Sequence, residues 1–189
     1  IQPVIEEASK FFKIVMVSGM RQVGKSTLLK QLSSDKRTII SFDDINNLES
    51  AKNAPLQFLQ LNPPPCFFNQ VQRVPEIFKA LKISVDSRSE KGLYWLSGSQ
   101  KLSLMSQVSD ALPGRLMNFE LWPFSIYEIA GKGLEQKPYL PSFSLSSNLP
   151  ILDPADTWNA VFQGFWPELK KATETERSCF FRSLVDLYL

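Results

Sequence analysis

Residues 19–26 read Gly19-Met20-Arg21-Gln22-Val23-Gly24-Lys25-Ser26, which matches the pattern G-x-x-x-x-G-K-[ST] in full. An apolar, strand-like run precedes this stretch at residues 14–17, and a helix-like run follows it at residues 27–32. In that context the pattern is typical of a phosphate-binding loop. Its glycines let successive backbone N–H groups and the N-terminus of the following helix point at a phosphate. The sequence therefore predicts a nucleotide site formed by Gly19, Met20, Arg21, Gln22, Val23, Gly24, Lys25, Ser26 and Thr27.

Two side chains of this loop have expected roles of their own. We expect the Lys25 ammonium to reach the β- and γ-phosphates, and the Ser26 hydroxyl to be a ligand of Mg²⁺. The chain has no Asn-Lys-x-Asp motif of the kind that reads guanine. The predicted ligands are therefore ATP and Mg²⁺, with adenine favoured over guanine because that motif is absent.

The composition of the 189-residue chain excludes several other kinds of site. It has no histidine, which excludes His-based acid–base chemistry and His–zinc sites, and its two cysteines have no metal-ligand spacing. The formal net charge is only +2 and no basic run stands out, so nucleic acid is not indicated as a partner. No apolar stretch has the length of a membrane span, so we expect no membrane association and a cytoplasmic location.

Strand-like and helix-like segments alternate along the first 130 residues. The predicted strands are residues 14–17, 38–42, 66–68, 93–96 and 116–121, and they indicate a five-stranded parallel sheet of the α/β class with helices on both faces. Ligands of such sheets lie at the carboxyl ends of the strands, where the phosphate loop, Asp43, Asn69 and Ser99 all fall. Residues 131–153 are rich in Gly, Pro and Ser and read as a linker or long loop. Helical segments at 155–163 and 173–189 follow.

Several segments together resemble one family. They are residues 19–27, Ser41-Phe42-Asp43-Asp44, Gln72-Arg73-Val74-Pro75, Leu96-Ser97-Gly98-Ser99-Gln100, Gly114-Arg115 and Gly164-Phe165-Trp166-Pro167-Glu168. The chain resembles AAA+-type P-loop ATPases of prokaryotes in which an ATP-binding domain precedes a C-terminal domain of unknown function. This resemblance implies a three-layer sandwich with strand order 5-1-4-3-2, and assembly into a dimer or ring. It also implies an ATP-binding domain at 1–130 and the helical start of a further, mostly missing region at 154–189.

One departure from that family bears on the chemistry. In the family the third strand ends in Asp-Glu, whereas this chain has Asn69-Gln70. By resemblance, position 69 helps to hold Mg²⁺ and position 70 orients the attacking water. An amide is a poor general base, and a neutral oxygen is a weaker partner than a carboxylate for a hard cation. We therefore expect an ATP-binding module with weak or absent hydrolysis.

The resemblance also gives roles to Ser99, Gln100 and Arg115. Ser99 and Gln100 would sense the γ-phosphate or its water, although Ser99 is equally suited to capping a following helix. Arg115 would neutralise transition-state charge in its own subunit or in a neighbour's site, whereas the alternative is a surface ion pair.

Two other functions remain open from the residues alone. Asp43 follows an apolar strand, so the chain could be an active ATPase that uses Asp43 as its metal-side carboxylate. Alternatively, the chain could be an interaction scaffold with an unused phosphate loop, which would bind no ATP. A small-molecule kinase is disfavoured because no arginine-bearing lid segment is evident.

Overall fold

The computed structural model of the chain describes residues 1–33, 36–99, 112–129, 131–133 and 153–188. It divides into two compact units, Ile1–Trp122 and Pro123–Leu189. Most of the predicted linker at 131–153 lies outside the described residues. None of the helices in the described part of the chain is long and apolar enough to cross a membrane.

The first unit is built on a five-stranded parallel sheet. Its strands are β1 (Ile14–Gly19), β2 (Thr38–Ser41), β3 (Cys66–Asn69), β4 (Tyr94–Ser97) and β5 (Leu116–Leu121). They lie in the order β2-β3-β4-β1-β5, and every neighbouring pair is parallel. This is the predicted order 5-1-4-3-2 viewed from the other edge, so the α/β class and the P-loop NTPase-like topology are confirmed. The parallel arrangement also places all five carboxyl ends at one edge of the sheet.

Alternate residues of β1 face opposite sides of this sheet, as the two-residue period of a strand requires. Val15 and Val17 belong to a core cluster that includes Leu29 of helix α2 (Lys25–Ser33) and Ile5 of helix α1 (Gln2–Phe11). Helix α1 is not among the predicted elements, and it has a narrow apolar face because Ile5 is its one buried residue. Helix α2 packs directly on the sheet and so fixes the residues that follow the phosphate loop.

The other face of the sheet is covered by helices α3 (Ile45–Asn53), α4 (Pro55–Leu61) and α5 (Ile77–Asp86). Helix α3 begins at an N-cap, because the Asp44 carboxylate accepts hydrogen bonds from two backbone N–H groups of its first turn. Helix α5 begins two residues after Pro75. Its buried residues recur at the spacing of one helix face: Ile77, Phe78, Ala80, Leu81 and Val85.

The second unit contains helices α6 (Ile126–Ile129), α7 (Pro154–Gln163) and α8 (Glu174–Tyr188), with a 3₁₀ turn at Pro167–Lys171. The Asp153 carboxylate caps the start of α7, and Gly164, which has a φ of +74°, follows its last residue. Trp166 packs edge-on against Phe180 and Phe181 of α8, with ring centroids 5.9 Å apart in both pairs. This aromatic group joins α8 to the segment before the 3₁₀ turn.

Candidate functional site

The phosphate-binding loop leaves the carboxyl end of β1 and leads directly into α2. All six residues of β1 are buried between β4 and β5, so the start of the loop is held on both sides. Three loop residues have positive φ angles, which are +144° at Gly19, +61° at Gln22 and +94° at Gly24. A Cβ atom on Gly19 would lie only 2.2 Å from the carbonyl oxygen of Leu121. Position 19 therefore requires glycine for both its backbone angle and its space.

Lys25 is a buried cation at the first position of α2, with 9% of its surface exposed. Its Nζ atom donates a hydrogen bond to the carbonyl oxygen of Met20, so the side chain curls back over the loop. Burial, and to a smaller extent the positive charge of Arg21, lowers the pKa of Lys25 to about 8. An anion bound at the loop would favour the charged ammonium form again.

Ser26 contacts the side chain at the end of β3. The Ser26 hydroxyl donates a hydrogen bond to Asn69 Oδ1 at 2.5 Å, and the Ser97 hydroxyl donates to the same oxygen at 2.7 Å. On the other side of the amide, Asn69 Nδ2 donates to the Ser41 hydroxyl oxygen at 3.2 Å. Asn69 is buried, and its amide joins three hydroxyl groups. The structure thus brings together Ser26 and Asn69, the two predicted metal-side residues.

The sheet register explains why these hydroxyls surround Asn69. Ser41, Asn69 and Ser97 are the last residues of β2, β3 and β4, and they pair side by side across the sheet. Ser41 and Ser97 stand within the segments that carry the family resemblance, but the sequence alone predicts no part for them in the site. The signal that could have identified them is a polar residue at the final position of each of three apolar strands.

Gln70 and Ser99, two of the predicted catalytic residues, are connected through Gln72. Gln70 has a left-handed backbone, with φ +64° and ψ +42°, and begins the short 3₁₀ turn Val71–Arg73. Gln72 Nε2 donates to Gln70 Oε1 at 2.6 Å, and the Ser99 backbone N–H donates to Gln72 Oε1 at 3.3 Å. Gln72 has no assigned role in the sequence analysis. Gln100, the second predicted sensor, lies outside the described residues.

Asp43 lies on the outer side of Ser41. The Ser41 hydroxyl donates to Asp43 Oδ2 at 3.4 Å, and Arg73 donates to Asp43 Oδ1 at 3.0 Å. The side chains of Arg73 and Asp43 are 43% and 56% exposed, so this ion pair is at the surface. Ser41 stands between Asp43 and Asn69. Asp43, the carboxylate considered as an alternative ligand of the metal, is therefore connected to Asn69 through the Ser41 hydroxyl.

Arg115 lies at the amino ends of the strands, whereas the phosphate loop lies at their carboxyl ends. It precedes β5, and its carbonyl oxygen accepts a hydrogen bond from the backbone N–H of Ile14, the first residue of β1. Its guanidinium donates to both carboxylate oxygens of Asp86, at 2.5 and 3.0 Å, which lowers the pKa of the Asp86 carboxyl. The structure does not bring Arg115 to the loop of its own chain. A role in a neighbour's site stays a prediction.

The donors beside the loop are suited to a hard cation with few protein ligands. Ser26 Oγ and Asn69 Oδ1 are neutral oxygens only 2.5 Å apart. In the described part of the chain, no group of three or more His, Cys, Asp or Glu side chains could hold a metal by itself. Mg²⁺ commonly takes one or two protein oxygens and completes its shell with water and phosphate oxygens. The residues present therefore fit Mg²⁺ bound together with a nucleotide.

Comparison with known proteins identifies relatives of this chain. A family model described as "AAA domain" matches residues 11–130, which include the phosphate loop and all five strands. Uncharacterized proteins of Mycobacterium bovis and Mycobacterium tuberculosis are each 27% identical to the chain over 141 residues, covering 71% of it. The chain spans only about a third of these relatives, since the match covers 32% of each.

Proposed function

Since the chain belongs to the AAA domain family, we propose that it is an ATP-binding P-loop module whose ATP hydrolysis is weak or absent. One observation carries this proposal. The residue that contacts Ser26 at the end of β3 is Asn69, and the next residue is Gln70. The phosphate loop, which is the binding half of the site, matches its sequence pattern in full. Positions 69 and 70, which are both expected to carry a negative charge, are instead amides.

The binding half is supported by the geometry of the loop. Positive φ angles at Gly19, Gln22 and Gly24 give the curled backbone that phosphate cradles require. Lys25 and Ser26 occupy the first turn of α2, where the helix dipole also favours an anion. We assign phosphate binding to residues 19–27, with the Lys25 ammonium on the β- and γ-phosphates.

Mg²⁺ bound with the nucleotide would neutralise phosphate charge, and Ser26 and Asn69 are the residues that would hold it. Asn69 supplies a neutral oxygen, so its attraction for the cation is weaker than that of a carboxylate. The rest of the coordination would come from the phosphates and water. Binding of Mg·ATP therefore relies mainly on the loop and on Lys25.

The weak-hydrolysis part of the proposal follows from Gln70. Its Oε1 accepts a short hydrogen bond from Gln72 at 2.6 Å, so the amide is already engaged. A neutral amide also accepts no proton at physiological pH, and loss of a general base typically lowers a rate by about 10²- to 10⁴-fold. Gln70 can position a water molecule but cannot deprotonate it.

We further propose how this module is placed in a longer protein. Residues 1–130 form the ATP-binding domain, 131–153 a linker, and 154–189 the start of a helical region. The nucleotide state would position a following domain or a second copy of the chain, in which Arg115 could approach a neighbouring loop. We place this protein in the cytoplasm.

Calorimetric titration of Mg·ATP into the protein tests the proposal. Lys25→Ala should weaken binding by about 10- to 100-fold, because it removes a charge-assisted hydrogen bond to phosphate. Lys30→Ala is the matched control, since Lys30 is an exposed lysine on the same helix. Release of phosphate from bound ATP is followed in parallel and should stay near the uncatalysed rate.

Absence of saturable ATP binding to the unaltered protein would overturn the proposal and leave the scaffold interpretation. Rapid, Lys25-dependent phosphate release would overturn its second half. In that case Asp43→Asn would examine whether Asp43 replaces the missing carboxylate.

A further inference from the structure

The amide at position 69 raises a question of orientation that a carboxylate would not. The two ends of an Asn side chain are similar in size, but one is an acceptor oxygen and the other a donor NH₂ group. The oxygen suits a cation, whereas the NH₂ group presents hydrogens to it. The usefulness of Asn69 beside Ser26 therefore depends on which end faces inward.

The two inner contacts cannot determine this orientation. Ser26 and Ser97 lie 2.5 and 2.7 Å from Asn69 Oδ1 and donate their hydroxyl hydrogens to it. A hydroxyl is both a donor and an acceptor, because its hydrogen rotates to suit its partner. The same two hydroxyls would accept from Nδ2 if the amide were turned around. The choice has to come from the outer end of the amide.

The outer end has a fixed direction because it leads to a carboxylate. Asp43 accepts hydrogen bonds but donates none from its ionised side chain. Its Oδ2 atom takes the single hydroxyl hydrogen of Ser41 in a long hydrogen bond of 3.4 Å, and the Asp43 backbone N–H donates to the Ser41 oxygen at 3.3 Å. The Ser41 oxygen is then left as an acceptor toward Asn69, whose Nδ2 lies 3.2 Å away. Arg73 holds the other oxygen of Asp43 at 3.0 Å and so keeps the carboxylate beside Ser41.

We propose that Ser41 and Asp43 are positioning residues that hold the amide oxygen of Asn69 toward Ser26. Asn69 donates a hydrogen bond to Ser41, and Ser41 donates one to Asp43. The two residues act through these hydrogen bonds and touch neither nucleotide nor metal. The orientation is a property of the free protein, whereas its consequence for Mg²⁺ rests on the proposed function. The consequence is that Mg²⁺ strengthens ATP binding more when Asn69 is held in this way.

The experiment compares ATP binding with Mg²⁺ and with EDTA, and the ratio of the two dissociation constants is the Mg²⁺ effect. Ser41→Ala removes the outer acceptor, so the amide turns to donate inward. If the amide kept its orientation in this variant, the Asn69 NH₂ group would be a buried donor without an acceptor. Few molecules would then hold the amide oxygen toward Ser26, so the Mg²⁺ effect should fall by about 5- to 30-fold. Asp43→Asn should act in the same direction with a smaller loss. Thr38→Ala, an exposed change at the other end of β2, is the matched control and should have no effect.

The Asn69→Asp background separates positioning from a general structural effect. A carboxylate has two equivalent oxygens, so Ser41→Ala should leave the Mg²⁺ effect of Asn69→Asp within about two-fold. An equal loss in both backgrounds would overturn the proposal.

A second readout needs no nucleotide. In ¹⁵N-labelled free protein, the side-chain NH₂ protons of Asn69 should show nuclear Overhauser contacts to the β protons of Ser41. In Ser41→Ala they should show contacts to Ser26 and Ser97 instead. NH₂ protons directed at Ser26 in the unaltered protein would refute the orientation even if the protein bound no ATP, so failure of the proposed function remains distinguishable.

Discussion

Replacing Gly19 with alanine should destabilise the first unit more than any ordinary glycine substitution in a turn. The φ angle of +144° lies where L side chains are rarely found, and such backbone strain costs about 1–3 kcal/mol. The new Cβ would lie 2.2 Å from the Leu121 carbonyl oxygen, which is fixed in β5, and relieving that overlap costs about 1–3 kcal/mol more. The smaller conformational freedom of alanine in the unfolded chain offsets about 0.4–1 kcal/mol. The expected net loss in the free energy of unfolding is about 3 kcal/mol.

Gly114→Ala is the control that separates overlap from strain. Gly114 also has a positive φ, of +72°, but nothing lies within 4 Å of its Cβ position. Its cost should be about 1 kcal/mol or less, because left-handed strain alone is partly offset in the unfolded chain. Urea unfolding, with amide hydrogen exchange of β1 as the local readout, measures both variants. Equal losses for Gly19→Ala and Gly114→Ala would refute the reasoning, since the contact with Leu121 would then contribute nothing.

Three further predictions follow from the site and the core. Asn69→Asp combined with Gln70→Glu should raise Lys25-dependent phosphate release by about 10²-fold or more, because it restores a general base; an unchanged rate in a release assay would contradict this. Burial raises the pKa of the Cys66 thiol to about 11, from an ordinary value of 9.0. Between pH 9 and 11 the unfolded chain therefore loses the thiol proton while the folded chain keeps it, so stability should fall with rising pH, by at most about 1.4 kcal/mol per pH unit. Urea unfolding of Cys66→Ala should lack this part of the decline; an identical pH profile in both proteins would argue against it. Arg115→Ala should change the calorimetric dissociation constant of Mg·ATP by no more than about two-fold, because Arg115 lies at the amino ends of the strands, away from the loop. A large loss of affinity for Mg·ATP would instead place Arg115 at the nucleotide.

The sequence predicts the scaffold of the site better than its internal connections. The strand order is predicted from a family resemblance, and the structure confirms it. The phosphate loop is predicted from a local motif, and the structure places this segment between β1 and α2. Ser41 and Ser97 acquire their importance from the register of three strands that are distant in sequence. No local pattern fixes that register, because it depends on how the apolar faces of β2, β3 and β4 pack.

The position of Arg115 follows from the topology of the sheet. Parallel strands start at the same edge of a sheet, and Arg115 immediately precedes β5, as Lys13 precedes β1. The phosphate loop follows β1 and therefore belongs to the opposite edge. The predicted strands alone thus place Arg115 away from the loop of its own chain. In its own chain Arg115 forms a partly exposed ion pair with Asp86, which is the alternative to a catalytic role, and a role in a neighbour's site stays a prediction.

The amide side chains of Asn69 and Gln70 are both hydrogen-bonded to neighbouring side chains of the site. Asn69 accepts from two hydroxyls and donates to a third, and Gln70 accepts from Gln72. Each inward contact is made to an oxygen of the amide, so a carboxylate of the same shape would keep these donors. At the outer contact the Ser41 hydroxyl would have to turn from Asp43 to the new carboxylate oxygen, and it would give up its long hydrogen bond of 3.4 Å to Asp43. Asn69→Asp and Gln70→Glu therefore change the charge of the site far more than its packing. A gain in hydrolysis by that variant would be due to the restored charge rather than to a rebuilt site.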